Sequence, residues 1–344
     1  MRISIFPNLL FDPNKRTNPY IVDFKNALSA QDGIEIANES HLNPLLSLLK
    51  RKNQGDVFIF NWFESIPDFK HGIIQSVIAT IFLPVIAIRG KKIVWILHNK
   101  HPHAPKHPKI TKFLSALIAR YSTLIITPAT EGVELVEKNY PREAHKVHFL
   151  NHPTKNRLTE IPSENSKFDL LIWGQIAKYK GVFEFVSYIK EHNITDLNIC
   201  IVGTCSPPSL FEELQKEVPS NIVAIHQSPS FEELGNYIAK SNFVLIPYHA
   251  TSILSSGIMM DSLSFGAKVI GPATGAFKDY ERDSRLAVYT FSDFKDIQSI
   301  VNANKSKVIS LNSYREFLTD NDWEHFATRL IELLNTCNKE TKKI

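Results

Sequence analysis

Ser255, Ser256 and Gly257 stand together ahead of an apolar run, with Asp261 four residues past the glycine. Hydroxyl residues and a glycine at a helix start are residue types that can receive an anion. The first backbone N–H groups of a helix have no partner within it, and the peptide dipoles put positive charge there. Serine adds donors, and glycine lets a ligand come close to the backbone. Capping alone also favours serine and glycine at helix starts. A second group of residues argues for phosphate: Gly174 is followed by Lys178, Lys180 and Gly181. Two ammonium groups and a helix start sharing one sheet edge would hold a diphosphate by charge-assisted hydrogen bonds. Asp261 lies one turn into the same helix, on the face of Gly257 and Ile258, where a carboxylate accepts from ribose hydroxyls.

The loop from His98 to His107 is the densest polar loop in the chain, with His98, His101, His103 and His107 interleaved with Pro102 and Pro105. Imidazole ligates metals. The loop holds no Cys, Asp or Glu, however, and its prolines resist a compact ligand set. A loop facing sugar or phosphate is the better reading, with His98, first off its strand, best placed.

The elements that must position these residues follow from periodicity. In the first half, strands are expected over 2–6, 34–36, 56–61, 91–98, 124–128 and 147–150, with helices over 20–29, 43–49, 73–88, 109–121 and 131–138. A polar linker follows at 159–167. The pattern then restarts with strands at 168–174, 197–203, 222–225, 242–247 and 268–271, and helices at 182–191, 210–217, 231–240 and 258–265. Ser230 and Glu233 form a capping box for the helix at 231. A last amphipathic helix covers 323–334, and no element is read between 273 and 319. Strand alternating with helix predicts the α/β class: two Rossmann-like, doubly wound domains with ligands beyond the carboxyl ends of the strands. The expected divisions are 1–158, 159–320, and a C-terminal helix, 321–344, packing back on the first domain.

Composition bounds the rest. The chain has 344 residues, 43% hydrophobic and 22% charged, with a formal net charge of +4. That is an ordinary globular composition with no argument for nucleic-acid binding. Cys200, Cys205 and Cys337 make neither a disulfide framework nor a zinc site, and they fit a reducing cytoplasm. The first residues read as a core strand and not as an export signal. The apolar run 73–88 is shorter than the ~20 residues of a spanning helix. Two readings stand for it: a sheet-covering helix, or an apolar face on the inner membrane surface beside Arg89, Lys91 and Lys92.

Taken in order, the motifs resemble glycosyltransferases of the two-Rossmann-domain GT-B type, and among them family 4-like bacterial enzymes. The likeness rests on Asn18-Pro19-Tyr20, on Val94 to Asn99 with Pro102 and His103, and on Gly174 with Tyr179, Lys180 and Gly181. It rests also on Ile246-Pro247-Tyr248, and on Ser255 to Gly257 followed by Ser264, Phe265, Gly266 and Val269. The resemblance implies two domains facing a cleft. The second would take a UDP- or GDP-linked sugar as co-substrate, and the first a lipid-linked or oligosaccharide acceptor. Catalytic roles fall to His98 and Lys180, and donor contacts to Gly174, Lys178, Lys180, Ser255, Ser256, Gly257 and Asp261. Acceptor contacts fall to Asn18, Tyr20, Asn99 and His103.

Two positions depart from the family pattern. Gln175 replaces an arginine, so Lys178 would supply that charge, and Ile253 replaces the first acid of the motif that Asp261 ends. The implied chemistry is retaining sugar transfer in surface-polysaccharide assembly, with no metal and no further cofactor. Asp320 and Asp322 spell an acid pair found in metal-dependent transferases, but they precede the last helix, where N-capping accounts for them. Two alternatives remain: a non-catalytic nucleotide-sugar or membrane-binding module, which Gln175 and Ile253 favour, and a nucleotide-sugar epimerase of the same architecture. An epimerase needs acids near the sugar, and the His98 loop has none.

Overall fold

Strands buried on both faces read as apolar runs, as the inner strands at 57–61, 92–96 and 124–127 do. The computed structural model describes residues 1–8, 19–102, 105–158 and 166–341, so Asn18 and His103 lie outside the described residues. The chain divides into two units, Met1–Pro153 with Asn321–Ile344, and Thr154–Asp320. The passage between them thus precedes the polar run at 159–167.

Unit one carries β1 (Arg2–Phe6), β2 (Glu35–Ile36), β3 (Val57–Asn61), β4 (Lys92–Ile96), β5 (Leu124–Thr127) and β6 (Val147–Phe149). They form one parallel sheet in the order β2-β1-β3-β4-β5-β6. Ile3 and Ile5, Val57 and Ile59, and Val94 and Ile96 face one core with Phe24 and Leu28 of α1 (Tyr20–Ser29). The closing helix of the chain, Trp323–Thr341, adds Phe326, Leu330 and Leu334 to that core. Each such buried side chain contributes ~1.5–3 kcal/mol over its exposed state. The helices α2 (Pro44–Leu48), α3 (Gly72–Ile88), α4 (Pro108–Tyr121) and α5 (Thr130–Asn139) complete the unit.

Unit two runs β7 (Phe168–Trp173), α6 (Val182–Glu191), β8 (Ile199–Gly203), α7 (Ser209–Glu217), β9 (Ile222–His226), α8 (Phe231–Ala239), β10 (Ser241–Leu245), α9 (Gly257–Ser264) and β11 (Val269–Pro272). The capping box at Ser230 and Glu233 is present. Four further elements fill the stretch left unread: α10 (Ala276–Glu281), β12 (Val288–Phe291), α11 (Lys295–Asn304) and α12 (Leu311–Asp320). β12 is a four-residue edge strand with Tyr289 and Thr290 half-exposed, so it has no apolar run to announce it. The sheet is again parallel, in the order β12-β11-β10-β7-β8-β9. The closing helix of unit one is α13 in chain order.

Candidate functional site

In a doubly wound sheet, ligands collect where the strand order reverses, beyond the carboxyl ends of the strands. In unit two that point lies between the paired strands β7 and β10. Two glycines fix the loops there. Gly174, just past β7, has φ +99°, and a side chain on it would come within 2.8 Å of Ile258 Cδ1 on the first turn of α9. Gly181 has φ +72°, and a side chain on it would overlap the Pro247 carbonyl oxygen beyond β10. L-residues avoid such φ values. Together the glycines hold the short 3₁₀ turn Lys178–Lys180 against the other strand end.

The hollow so formed is lined by Gly174, Gln175, Lys180, Tyr248 and Ile258, and encloses only about 10 Å³. That is room for one water, so a diphosphate would lie across its mouth. The Lys180 Nζ sits 5.7 Å from the Tyr248 ring centroid. Burial alone lowers its pKa to about 8. Among the described residues no carboxylate pairs with it.

α9 supplies the other half. The Ser256 hydroxyl accepts the Met259 N–H at 3.4 Å as an N-cap and is hydrogen-bonded to the Tyr248 side chain. In this structure the hydroxyl therefore makes internal hydrogen bonds at the start of α9. The Gly257 and Ile258 amides donate to no group among the described residues and, having no partner within the helix, are open to a ligand or water. Open space surrounds Gly257 where a side chain would project. The Ser255 Oγ is buried without a hydrogen-bond partner among the described residues.

Two expected donor contacts point elsewhere. Lys178 is exposed and bonds Glu213 on α7 at 3.1 Å, so one ammonium group attends the hollow and not two. Glu213 lies 35 residues away and could not be foreseen. Asp261 bonds Arg157 at 3.1 Å, in a pair whose side chains are 28% and 16% exposed. Arg157 also donates to the Ser264 hydroxyl at 2.9 Å and lies 3.9 Å over the Phe231 ring. Asp261 is thus a partly exposed carboxylate paired with a cation. Ile253, where the family's first acid would stand, is 3% exposed.

In unit one, Asn61 and His98 leave adjacent strand ends and meet, His98 Nε2 lying 2.9 Å from Asn61 Oδ1. The Asn61 Nδ2 donates to the Phe6 carbonyl, so its oxygen faces the ring and His98 carries its proton on Nε2. Nδ1 is then the acceptor. The Trp62 ring stacks on His98 at 4.4 Å, and the Tyr20 ring meets it edge-on at 5.1 Å. Burial, with a smaller contribution from His152, pulls the His98 pKa down to about 3, and burial holds His152 near about 4. Both rings are neutral at ordinary pH. Tyr20 also packs on His152 at 5.4 Å and Trp323 at 5.1 Å. It is 5% exposed, a core ring of this cluster. Asn99 is half-buried next to His98.

Trp62, His152 and Trp323 received no role from the sequence, because hydrophobic patterning does not report which rings converge. The polar loop is anchored by Lys100, which bonds Glu131 at 2.6 Å. Asp322 accepts the His325 N–H as a helix cap, while Asp320 bonds Arg285. Among the described residues no three His, Cys, Asp or Glu gather to hold a metal.

No family model and no curated protein matches the chain. Solved structures do. Anabaena HepE in complex with UDP-glucose aligns over 98% of this chain and 100% of its own, at TM-score 0.69 and 12% identity. The lipopolysaccharide outer core galactosyltransferase WaaB aligns over 98% and 99%, at TM-score 0.60 and 9% identity. A glycosyltransferase involved in avilamycin A biosynthesis aligns over 96% of each chain, at TM-score 0.59 and 11% identity. With its two parallel six-stranded Rossmann-like sheets, this chain has the GT-B fold of glycosyltransferases.

Proposed function

We propose that the chain is a glycosyltransferase moving a sugar from a UDP- or GDP-linked donor to a saccharide acceptor, without a divalent ion and with retention of configuration. The observation that carries this reading is Lys180: a desolvated ammonium without a carboxylate partner, at a hollow shared with Gly174 and the first turn of α9. The fold is shared with HepE, whose structure holds UDP-glucose. As the bond from the anomeric carbon to the diphosphate oxygen breaks, negative charge grows on the leaving group. In this reading the Lys180 ammonium, the Gly257 and Ile258 amides and the Ser255 hydroxyl receive it.

His98 is too weak a base to take the acceptor proton. Its Nδ1 serves as a hydrogen-bond acceptor that orients a sugar hydroxyl. The proton passes to an oxygen of the departing diphosphate as the new glycosidic bond forms. A lipid-linked acceptor and a place in surface-polysaccharide assembly belong to the same proposal.

The buried Ile253 and the absent arginine at Gln175 favour a second reading, a module that binds nucleotide sugar without turning it over. Donor consumption under chelator, with and without saccharide acceptors, separates the two. Acceptor-dependent release of nucleoside diphosphate supports the transferase, and binding without release supports the module. Strict dependence on magnesium overturns the metal-free proposal.

The pH profile follows from the same groups. Lys180 must be charged to act, so kcat/KM is expected to fall as pH rises through about 8, its value in the free protein. A bound diphosphate favours the ammonium, so the inflexion in kcat should lie higher. His98 and His152 should add no step in the range where an ordinary histidine titrates.

A further inference from the structure

α3 is apolar on both faces, with polar residues on the covered one. Its buried side includes its polar residues Gln75 and Ser76, which donate to the carbonyls of Lys70 and Gly72 at 2.7 Å. Every exposed residue of the helix is aliphatic: Ile73, Ile74, Val77, Ile81, Val85 and Ile88. Ile74 and Ile81 each keep 63% of their surface exposed, and Ile88 keeps 84%. At 3.6 residues per turn, the six fall within about a third of the helix circumference. Their stripe runs the 17-residue length of α3. A monomer in water rarely keeps so continuous an apolar surface without a partner.

The stretch of chain that carries the stripe is rich in cations, although Asp68 lies just before it and Lys91 and Lys100 pair with Asp56 and Glu131. Phe69 to Thr130 contains nine lysines and arginines and no aspartate or glutamate. Exposed Lys70 and Arg89 bracket α3. α4, which packs beside α3, presents exposed Lys109, Lys112 and Arg120, with Phe113 50% exposed among them.

We propose that this face docks on an anionic lipid bilayer, with α3 lying in the interface. Its aliphatic stripe would enter the acyl boundary while the flanking cations meet headgroup phosphates. Among the described residues no helix is long and apolar enough to cross a membrane, so the contact is peripheral. A second copy of this chain is a poorer occupant. A two-fold interface sets a surface against itself, and here that would oppose cations to cations. The surface stands apart from the transferase reading, because lipid binding needs neither donor nor acceptor. Where both hold, the acceptor is one presented at a bilayer.

The test is co-sedimentation of the full chain with vesicles of phosphatidylcholine alone and of phosphatidylcholine mixed with phosphatidylglycerol. Binding is expected only to the mixed vesicles, and to weaken with added salt. The double variant Ile74→Glu/Ile81→Glu should bind roughly tenfold or more weakly, with an unchanged thermal midpoint because both positions face solvent. Lys109→Glu/Lys112→Glu should also weaken binding. The proposal is overturned if the wild-type chain ignores both vesicles or if the Ile74→Glu/Ile81→Glu variant binds as it does. It is equally overturned if the lipid-free chain is a dimer that this variant dissociates.

Discussion

Replacing Lys180 with alanine is expected to lower kcat by roughly two to three orders of magnitude, the range seen when one preorganised charge-stabilising donor is removed. The loss should fall mainly on kcat, because the demand on the ammonium is greatest when the sugar–phosphate bond is breaking. Two features of this lysine support so large an effect. It is half-buried beside the Tyr248 ring, where a charge interacts more strongly than in water. Its pKa is already depressed by burial alone, so a bound anion recovers that desolvation. Lys180→Arg keeps a charge at any accessible pH and should retain part of the activity while removing the inflexion near pH 8. Lys178→Ala should be mild, because Lys178 points to Glu213 and is largely exposed. Similar losses at Lys178 and Lys180, or near-normal turnover in Lys180→Ala, would refute the assignment of one working ammonium group.

The second large effect concerns the backbone. Gly181→Ala forces an L-residue to φ +72° and drives its new carbon into the Pro247 carbonyl oxygen. The conformational part alone costs ~1–2 kcal/mol. The overlap cannot be relieved by a side-chain rotation, because the obstacle is backbone. The turn Lys178–Lys180 must move away from the end of β10, taking the Lys180 ammonium with it. Donor turnover should drop by roughly a hundredfold, the scale of a small misplacement at a catalytic group, and the urea midpoint should fall. Gly33→Ala is the matched control: it has the same φ of +72° with nothing within 4 Å of the new carbon. It should lose only the conformational part and keep full turnover per folded molecule. Equal destabilisation by the two variants would mean that the Gly181 contact is not tight.

Much of this arrangement was legible in the residues. Apolar strands such as β1, β3 and β8 declare themselves because parallel sheets are covered on both faces, and α1 and α6 begin and end where periodicity places them. Once alternation fixes a doubly wound sheet, chain order alone puts the Gly174 loop and the start of α9 at one edge. What periodicity cannot supply is the partner of each side chain. Arg157 reaches Asp261 across 104 residues of chain, a partner no local pattern could name. Tyr20, read as an acceptor contact, is enclosed by His98, His152 and Trp323. Periodicity marked α3 as helical but not which side faces out, since Gln75 and Ser76 would ordinarily be assigned to solvent. The unread stretch after β11 failed for a simpler reason. Its strand lies at the sheet edge and α10 spans only six residues, while α11 and α12 bury only two or three apolar side chains each.

In the proposed transferase, unit two holds a diphosphate with one ammonium group and open backbone amides, without a divalent ion. The most direct measurement is calorimetric titration of the chelator-treated protein with a nucleoside and with its diphosphate, using the uridine and guanosine series in parallel. In one of the two series the diphosphate should bind far more tightly than the nucleoside, and Lys180→Ala should remove most of the difference. Equal affinity for nucleoside and diphosphate in both series, or a preference that emerges only when magnesium is restored, would contradict the account.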